Sequence, residues 1–193
     1  MCMNLANRLT TSRIFLSLAL ILILRFPGVL AKAFALSIFL LATLTDYWDG
    51  RIARQRNQIT PLGRFLDPVA DKVLTFSAFC GFLELGLIPA WMVVVIVTRD
   101  LLITGLRLMM PAQDEKVAAR KSGKHKTVIQ YAAIILILIY LTFHEMPFWQ
   151  AAWTPLSLKI IYSFMLAVVV ATLYSGSRYL YLNREFFSGS SSK

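Results

Sequence analysis

Apolar residues fall along this chain in long unbroken runs, separated by short polar stretches rich in arginine and lysine. Six runs stand out, at about 14–31, 33–53, 68–88, 89–110, 127–143 and 156–181. Each is close to the ~20 residues a helix needs to cross ~30 Å of hydrocarbon. Runs apolar on every side bury themselves in lipid or against one another, so the pattern predicts an all-α integral membrane fold with six transmembrane helices. No internal repeat is visible, and one membrane domain over residues 1–187 is the simplest organisation. Residues 188–193, SGSSSK, read as a polar tail, native or appended.

Composition agrees: 58% of the 193 residues are hydrophobic, and mean hydropathy is +0.65, too apolar for an ordinary soluble domain. Arg8 and Arg13 followed by an apolar run and Ala31-Lys32-Ala33 imitate a signal peptide, but cleavage there would start the mature chain inside the next apolar run. The first span is therefore read as retained. Cys2 and Cys80 lie far apart in sequence and imply no disulfide framework. Trp91, Trp149 and Trp153 fit interfacial anchors.

Charge then orients the spans. With the N-terminus in the cytoplasm, Arg8, Arg13, Arg51, Arg54, Arg56, Arg64, Lys72, Arg107, Lys116, Arg120, Lys121, Lys124, Lys126, Arg178, Arg184 and Lys193 all lie inside. Only Arg25, Lys32 and Lys159 lie outside, and Arg99 falls within a span. That asymmetry predicts cytoplasmic N- and C-termini in a bacterial cytoplasmic membrane. The net charge of +10 is dispersed over the loops, with no soluble basic domain to carry it, which argues against nucleic acid as a partner.

Acid is scarce, and four of the ten acidic residues sit in one stretch, DYWDGRIARQRNQITPLGRFLDPVAD, at 46–71. Asp46 and Asp49 are three apart and Asp67 and Asp71 four apart, and on helices both spacings align the carboxylates on one face. Two facing acidic pairs make an oxygen-rich cage for hard divalent cations, Mg2+ or Mn2+. Gly50 and Ala53 continue the first stripe with small residues that let a ligand approach the backbone, and Arg54 stands beyond to meet phosphate. Thr60-Pro61 can start the partner helix, with Gly63, Asp67 and Asp71 following at intervals of four. Alternatively Asp67 caps a helix that begins at Pro68. A plain salt-bridge network with Arg51, Arg54, Arg64 and Lys72 is the rival reading of the acids, but aligned intramembrane carboxylates are functional by default.

Asp46-x2-Asp49-Gly50-x2-Ala53-Arg54, followed after eight residues by Gly63-x3-Asp67-x3-Asp71, resembles the signature of the CDP-alcohol phosphotransferase family. The resemblance implies a six-helix membrane enzyme that moves a phosphatidyl group from CDP-diacylglycerol to an alcohol and releases CMP. It implies that Asp46, Asp49, Asp67 and Asp71 bind the metals, two ions in all, and that Asp71 is also the catalytic base. Asn7, Thr10, Gly50, Ala53, Arg54, Thr60 and Gly63 would bind the donor. Dimers are common in the family, which leaves a homodimer open.

Finer segments resemble the branch whose acceptor is sn-glycerol 3-phosphate and whose product is phosphatidylglycerophosphate: the start around Asn4 to Arg13, FLDPVADK at 65–72, TRDLLITGLR at 98–107 and GKHKT at 123–127. A phosphorylated acceptor demands cations, and Arg99, Arg107, Lys124 and Lys126 are the candidates for its phosphate. Arg99 in mid-span needs a partner. Asp100 is not expected to be that partner, because consecutive side chains on a helix point about 100° apart; Asp100, Thr104 and Arg107 share a face. His125 lacks an orienting partner and is not read as catalytic, and His144-Glu145 reads as an interfacial pair without function. Another acceptor within the family, phosphatidylglycerol or an inositol phosphate, is the main alternative. A divalent-metal transporter fits less well, since it gives Gly50, Ala53, Arg54 and Gly63 no reason for their places.

Overall fold

The computed structural model describes the backbone of residues 5–55, 61–109 and 117–184, and the side chains of residues 11–45, 72–108 and 126–184. Within these residues every regular element is helical: α1 (Leu5–Leu24), α2 (Val29–Gln55), α3 (Pro61–Glu84), α4 (Ala90–Met109), α5 (Val117–His144) and α6 (Thr154–Leu182), with a 3-10 turn at Ala151–Trp153. Two helical stretches, Lys126–His144 and Ala151–Leu182, are long and apolar enough to cross a membrane, and Thr11–Leu24 and Val29–Thr45 are shorter apolar stretches.

The helices extend past the apolar runs because charge does not stop a helix; local backbone chemistry does. α1 ends seven residues before its run ends at 31, where Gly28 takes φ +101° and permits the turn into α2. α3 ends in a Schellman closure: Leu87 N–H donates to Phe82 O at 3.0 Å and Gly86 N–H to Leu83 O at 3.0 Å, with Gly86 at φ +70°. Of the two possible starts for α3, Pro61 is the one adopted, and the helix runs on through Pro68, giving up one backbone donor there.

α1 packs against both α2 and α3, α5 against α2, α3 and α6, and α4 against α3 and α6. The core between them is aliphatic and aromatic, with Leu20, Phe39, Phe79, Phe82, Met92, Ile134, Leu138 and Met165 fully buried. Outward faces are equally apolar, with Phe15, Leu30, Val94, Leu102, Leu156 and Tyr174 all exposed. An apolar core inside an apolar exterior is the arrangement of a protein whose solvent is lipid.

At one end of the bundle, polar contacts tie the connections together. Arg25 Nε meets Glu84 Oε1 at 3.3 Å, Lys32 Nζ donates to Leu24 O at 2.6 Å, and Gly28 N–H donates to Glu145 Oε2 at 3.0 Å. Glu145 therefore pins the α5–α6 connection to the α1–α2 turn, a structural duty its sequence context did not announce. Beside it Trp149 stacks edge-on against Tyr140 and Trp153 and donates from Nε1 to Thr154 Oγ1 at 3.1 Å. A polar cluster of a different kind occupies the opposite half.

Candidate active site

α4 is enclosed on two sides, and its consecutive polar residues serve different neighbours. Arg99 points toward α6, where Nη2 donates to Ser175 Oγ at 2.5 Å. Its stem lies so close over Gly176 that a Cβ there would stand 3.0 Å from Nε and 3.1 Å from Cγ. Asp100 points toward α5, where its Oδ1 accepts from Lys126 Nζ and its Oδ2 from Gln130 Nε2 at 3.2 Å. Lys72 of α3 brings its ammonium to 3.9 Å from the same Oδ2.

The expectation that Arg99 and Asp100 do not pair is overturned: Arg99 Nη1 lies 3.3 Å from Asp100 Oδ1. The Cβ directions do diverge, as helix geometry requires, but the long arginine stem bends its fork back across the gap. Asp100 thus becomes the hub of a cluster drawn from three helices. It is 5% exposed and Lys126 is 4% exposed, so this charge pair is shielded from water, where electrostatic attraction is strong and an unpaired partner costly.

Beside the hub lies a small cavity of about 50 Å3 lined by Lys72, Arg99, Asp100, Thr104, Arg107 and Lys126 among others. Four cations and one carboxylate around a compact space suit a small anion. Arg107 is exposed, and its guanidinium lies 5.7 Å from the centre of the Tyr179 ring, which steadies it over the cavity. An apolar groove of about 340 Å3 between α3 and α4, lined by Val73, Phe76, Val97, Leu101 and Leu108, shares Lys72, Asp100 and Thr104 with the cavity.

Of the sequence candidates, Arg99, Arg107 and Lys126 are brought together here. Lys124 belongs to α5, but its side chain lies outside the described residues. Asn7 and Thr10 fall on α1, Asp46, Asp49, Gly50, Ala53 and Arg54 on α2, and Gly63, Asp67 and Asp71 on α3, their side chains likewise outside the described residues; Thr60 is outside them altogether. The acidic pairs are therefore helical, as their spacing requires, and α1 and α5 each touch both helices that carry them. Asp71 immediately precedes Lys72, so the acidic strip leads in sequence directly to the cationic cavity. Four aspartates at helical spacing are a hard-oxygen donor set that fits Mg2+ or Mn2+; among the described residues no group of three metal-ligating side chains occurs. Sequence reading missed Lys72, Gln130, Ser175 and Tyr179 as members of the cluster, and treated Asp100 only as part of a stripe. An acid in mid-span beside a mid-span arginine was the available signal.

Residues 3–174 match the profile of the CDP-alcohol phosphatidyltransferase family. The chain is 43% identical over 111 residues to CDP-diacylglycerol--glycerol-3-phosphate 3-phosphatidyltransferase of Bacillus subtilis, covering 58% of this chain and 55% of that protein. It is 39% identical over 142 residues to a probable phosphatidylglycerophosphate synthase of Mycobacterium tuberculosis, covering 72% and 68%. It is 34% identical over 136 residues to CDP-diacylglycerol--glycerol-3-phosphate 3-phosphatidyltransferase of Rickettsia typhi, covering 70% and 76%.

Proposed function

Since this chain belongs to the CDP-alcohol phosphatidyltransferase family, we propose that it transfers the phosphatidyl group of CDP-diacylglycerol to sn-glycerol 3-phosphate, giving phosphatidylglycerophosphate and CMP. The observation that carries the choice of acceptor is the cavity where Lys72, Arg99, Arg107 and Lys126 converge. An unphosphorylated alcohol gives four cations nothing to bind. A dianionic phosphate ester gives each of them a charge-assisted partner. The relatives' names point the same way.

The reaction forms a bond from the acceptor's hydroxyl oxygen to the phosphatidyl phosphorus and breaks the bond from that phosphorus to the oxygen of CMP. Arg99, Arg107 and Lys126, with Lys124 beside them, hold the acceptor's phosphate so that its hydroxyl is presented to the acidic strip. Asp71 takes the hydroxyl proton. Asp46, Asp49, Asp67 and Asp71 would hold two Mg2+ or Mn2+ ions, which when bound neutralise charge on the attacked and leaving phosphates. Asn7, Thr10, Gly50, Ala53, Arg54, Thr60 and Gly63 hold the donor's cytidine diphosphate. The apolar groove that opens from the cavity between α3 and α4 gives a lipid-borne reaction a continuous path from charged head to hydrocarbon.

We place all six helices across a bacterial cytoplasmic membrane as one domain over residues 1–187, with both termini and the active site on the cytoplasmic face. The positive-inside asymmetry supports this orientation, and so does the gathering of Lys72, Arg107 and Lys126 in one half of the bundle. Purified protein supplied with radiolabelled CDP-diacylglycerol and a panel of alcohols tests the proposal through CMP release. Glycerol 3-phosphate is expected to support release, and glycerol, phosphatidylglycerol and inositol phosphate are not. Release with phosphatidylglycerol or inositol phosphate and none with glycerol 3-phosphate would reassign the acceptor.

A further inference from the structure

Asp100 is the described carboxylate on which the cationic cluster converges, and neither the family signature nor the proposed chemistry gives it a task. Both of its oxygens are engaged: Oδ1 by Lys126 and Arg99, and Oδ2 by Gln130 at 3.2 Å. Neutralising one buried carboxylate takes one cation, and Lys126 suffices for that. Arg99 adds a second buried cation, and its Nε, also buried, has no hydrogen-bond partner. A protein gains no stability from that arrangement, since two buried cations sharing one carboxylate leave positive charge and an unmet N–H in a poorly solvated place. The excess has a use if an anion arrives in the cavity that both side chains line.

We propose that Asp100 is a positioning residue of the acceptor site. Its carboxylate fixes the Lys126 ammonium and the Arg99 guanidinium side by side at the cavity wall before the acceptor binds, with Gln130 holding Oδ2 and Ser175 holding the far edge of Arg99. Without it, two like charges would repel and the long side chains would scatter over rotamers, so that binding the phosphate would have to order them. The inference rests on the proposed acceptor reading.

The test is steady-state kinetics of the full-length protein with CDP-diacylglycerol and glycerol 3-phosphate, each varied at saturation of the other. Asp100→Asn keeps the shape and loses the charge, and is expected to raise the KM for glycerol 3-phosphate about ten-fold or more, the loss of one charge-assisted contact. The KM for CDP-diacylglycerol should stay within about two-fold. Asp100→Glu restores the charge and should recover part of the loss. A purely structural role would reduce the amount of folded enzyme, and with it the apparent kcat, without a shift in one KM. A KM for glycerol 3-phosphate that is unchanged or lower in Asp100→Asn overturns the inference, as does an equal rise for both substrates. Should Asp100→Asn fail to fold, Gln130→Met decides: it removes only the bond to Oδ2, and is expected to raise the same KM about three-fold, whereas an unchanged value overturns the inference. If the wild type releases no CMP with glycerol 3-phosphate, the acceptor reading falls and this inference with it; an active wild type with an unshifted Asp100→Asn removes the inference alone.

Discussion

Replacing Arg107 by alanine separates acceptor from donor. Arg107 lines the cationic cavity, and its loss removes one charge-assisted contact to a dianionic phosphate, worth about 1.5–3 kcal/mol, or roughly ten- to a hundred-fold in affinity. Arg107 is exposed while Lys126 and Asp100 are buried, so water screens its charge and the lower end of that range, about ten-fold, is expected. Its contact with the Tyr179 ring, at 5.7 Å, is also lost, a change of about 0.5–1 kcal/mol in local stability that leaves the helices intact. With CMP release assayed in mixed micelles, the KM for glycerol 3-phosphate should rise about ten-fold, while that for CDP-diacylglycerol stays nearly unchanged. Arg54→Ala should show the reverse, because Arg54 belongs to the donor motif. Arg107→Lys should recover only part, since an ammonium keeps the charge and loses the two-pronged geometry. An unchanged KM for glycerol 3-phosphate in Arg107→Ala would refute the placement of its phosphate in this cavity.

Other expectations follow from the same structure. Asp67→Asn and Asp71→Asn should each abolish CMP release, and a chelator should do so reversibly in the wild type; more than about a tenth of normal activity in either variant would remove the metal-cage mechanism. In a background lacking Cys2 and Cys80, single cysteines at Gln58 and Gln113 should react with an impermeant thiol reagent only after the inner face is opened, and one at Gln150 should react from outside. The opposite labelling would invert the orientation. Gly81→Ala places a Cβ 2.6 Å from Cδ1 of Leu24, a buried side chain, and should lower thermal stability in detergent by about 1–3 kcal/mol. Gly105→Ala meets nothing within 4 Å and should lose none, so equal melting temperatures for the two variants would contradict the α1–α3 packing.

The six helices were legible in the sequence because lipid imposes a simple rule, an apolar run of fixed length for each crossing. Their ends were not, because hydropathy marks where a helix meets lipid and not where its hydrogen bonding stops. α5 begins at Val117 and carries a charged stretch ahead of its apolar run, while Gly28 and not the last apolar residue ends the first hairpin. The acidic signature was readable because helical spacing converts directly into a shared face. The cationic pocket was readable only in part. Arg99, Arg107 and Lys126 could be named from their chemistry, but Gln130 and Ser175 reach the cluster from 31 and 76 positions beyond Arg99, and no local pattern encodes that meeting. Arg99 with Asp100 shows the limit most clearly. Backbone direction predicted separation, and side-chain reach reversed it.

The most direct test of the account is an experimental structure of the protein in lipid with glycerol 3-phosphate bound. The account predicts the acceptor's phosphate within hydrogen-bonding distance of Arg99, Arg107 and Lys126, with its free hydroxyl directed toward Asp71. A phosphate bound elsewhere, with those three side chains unengaged, would contradict it.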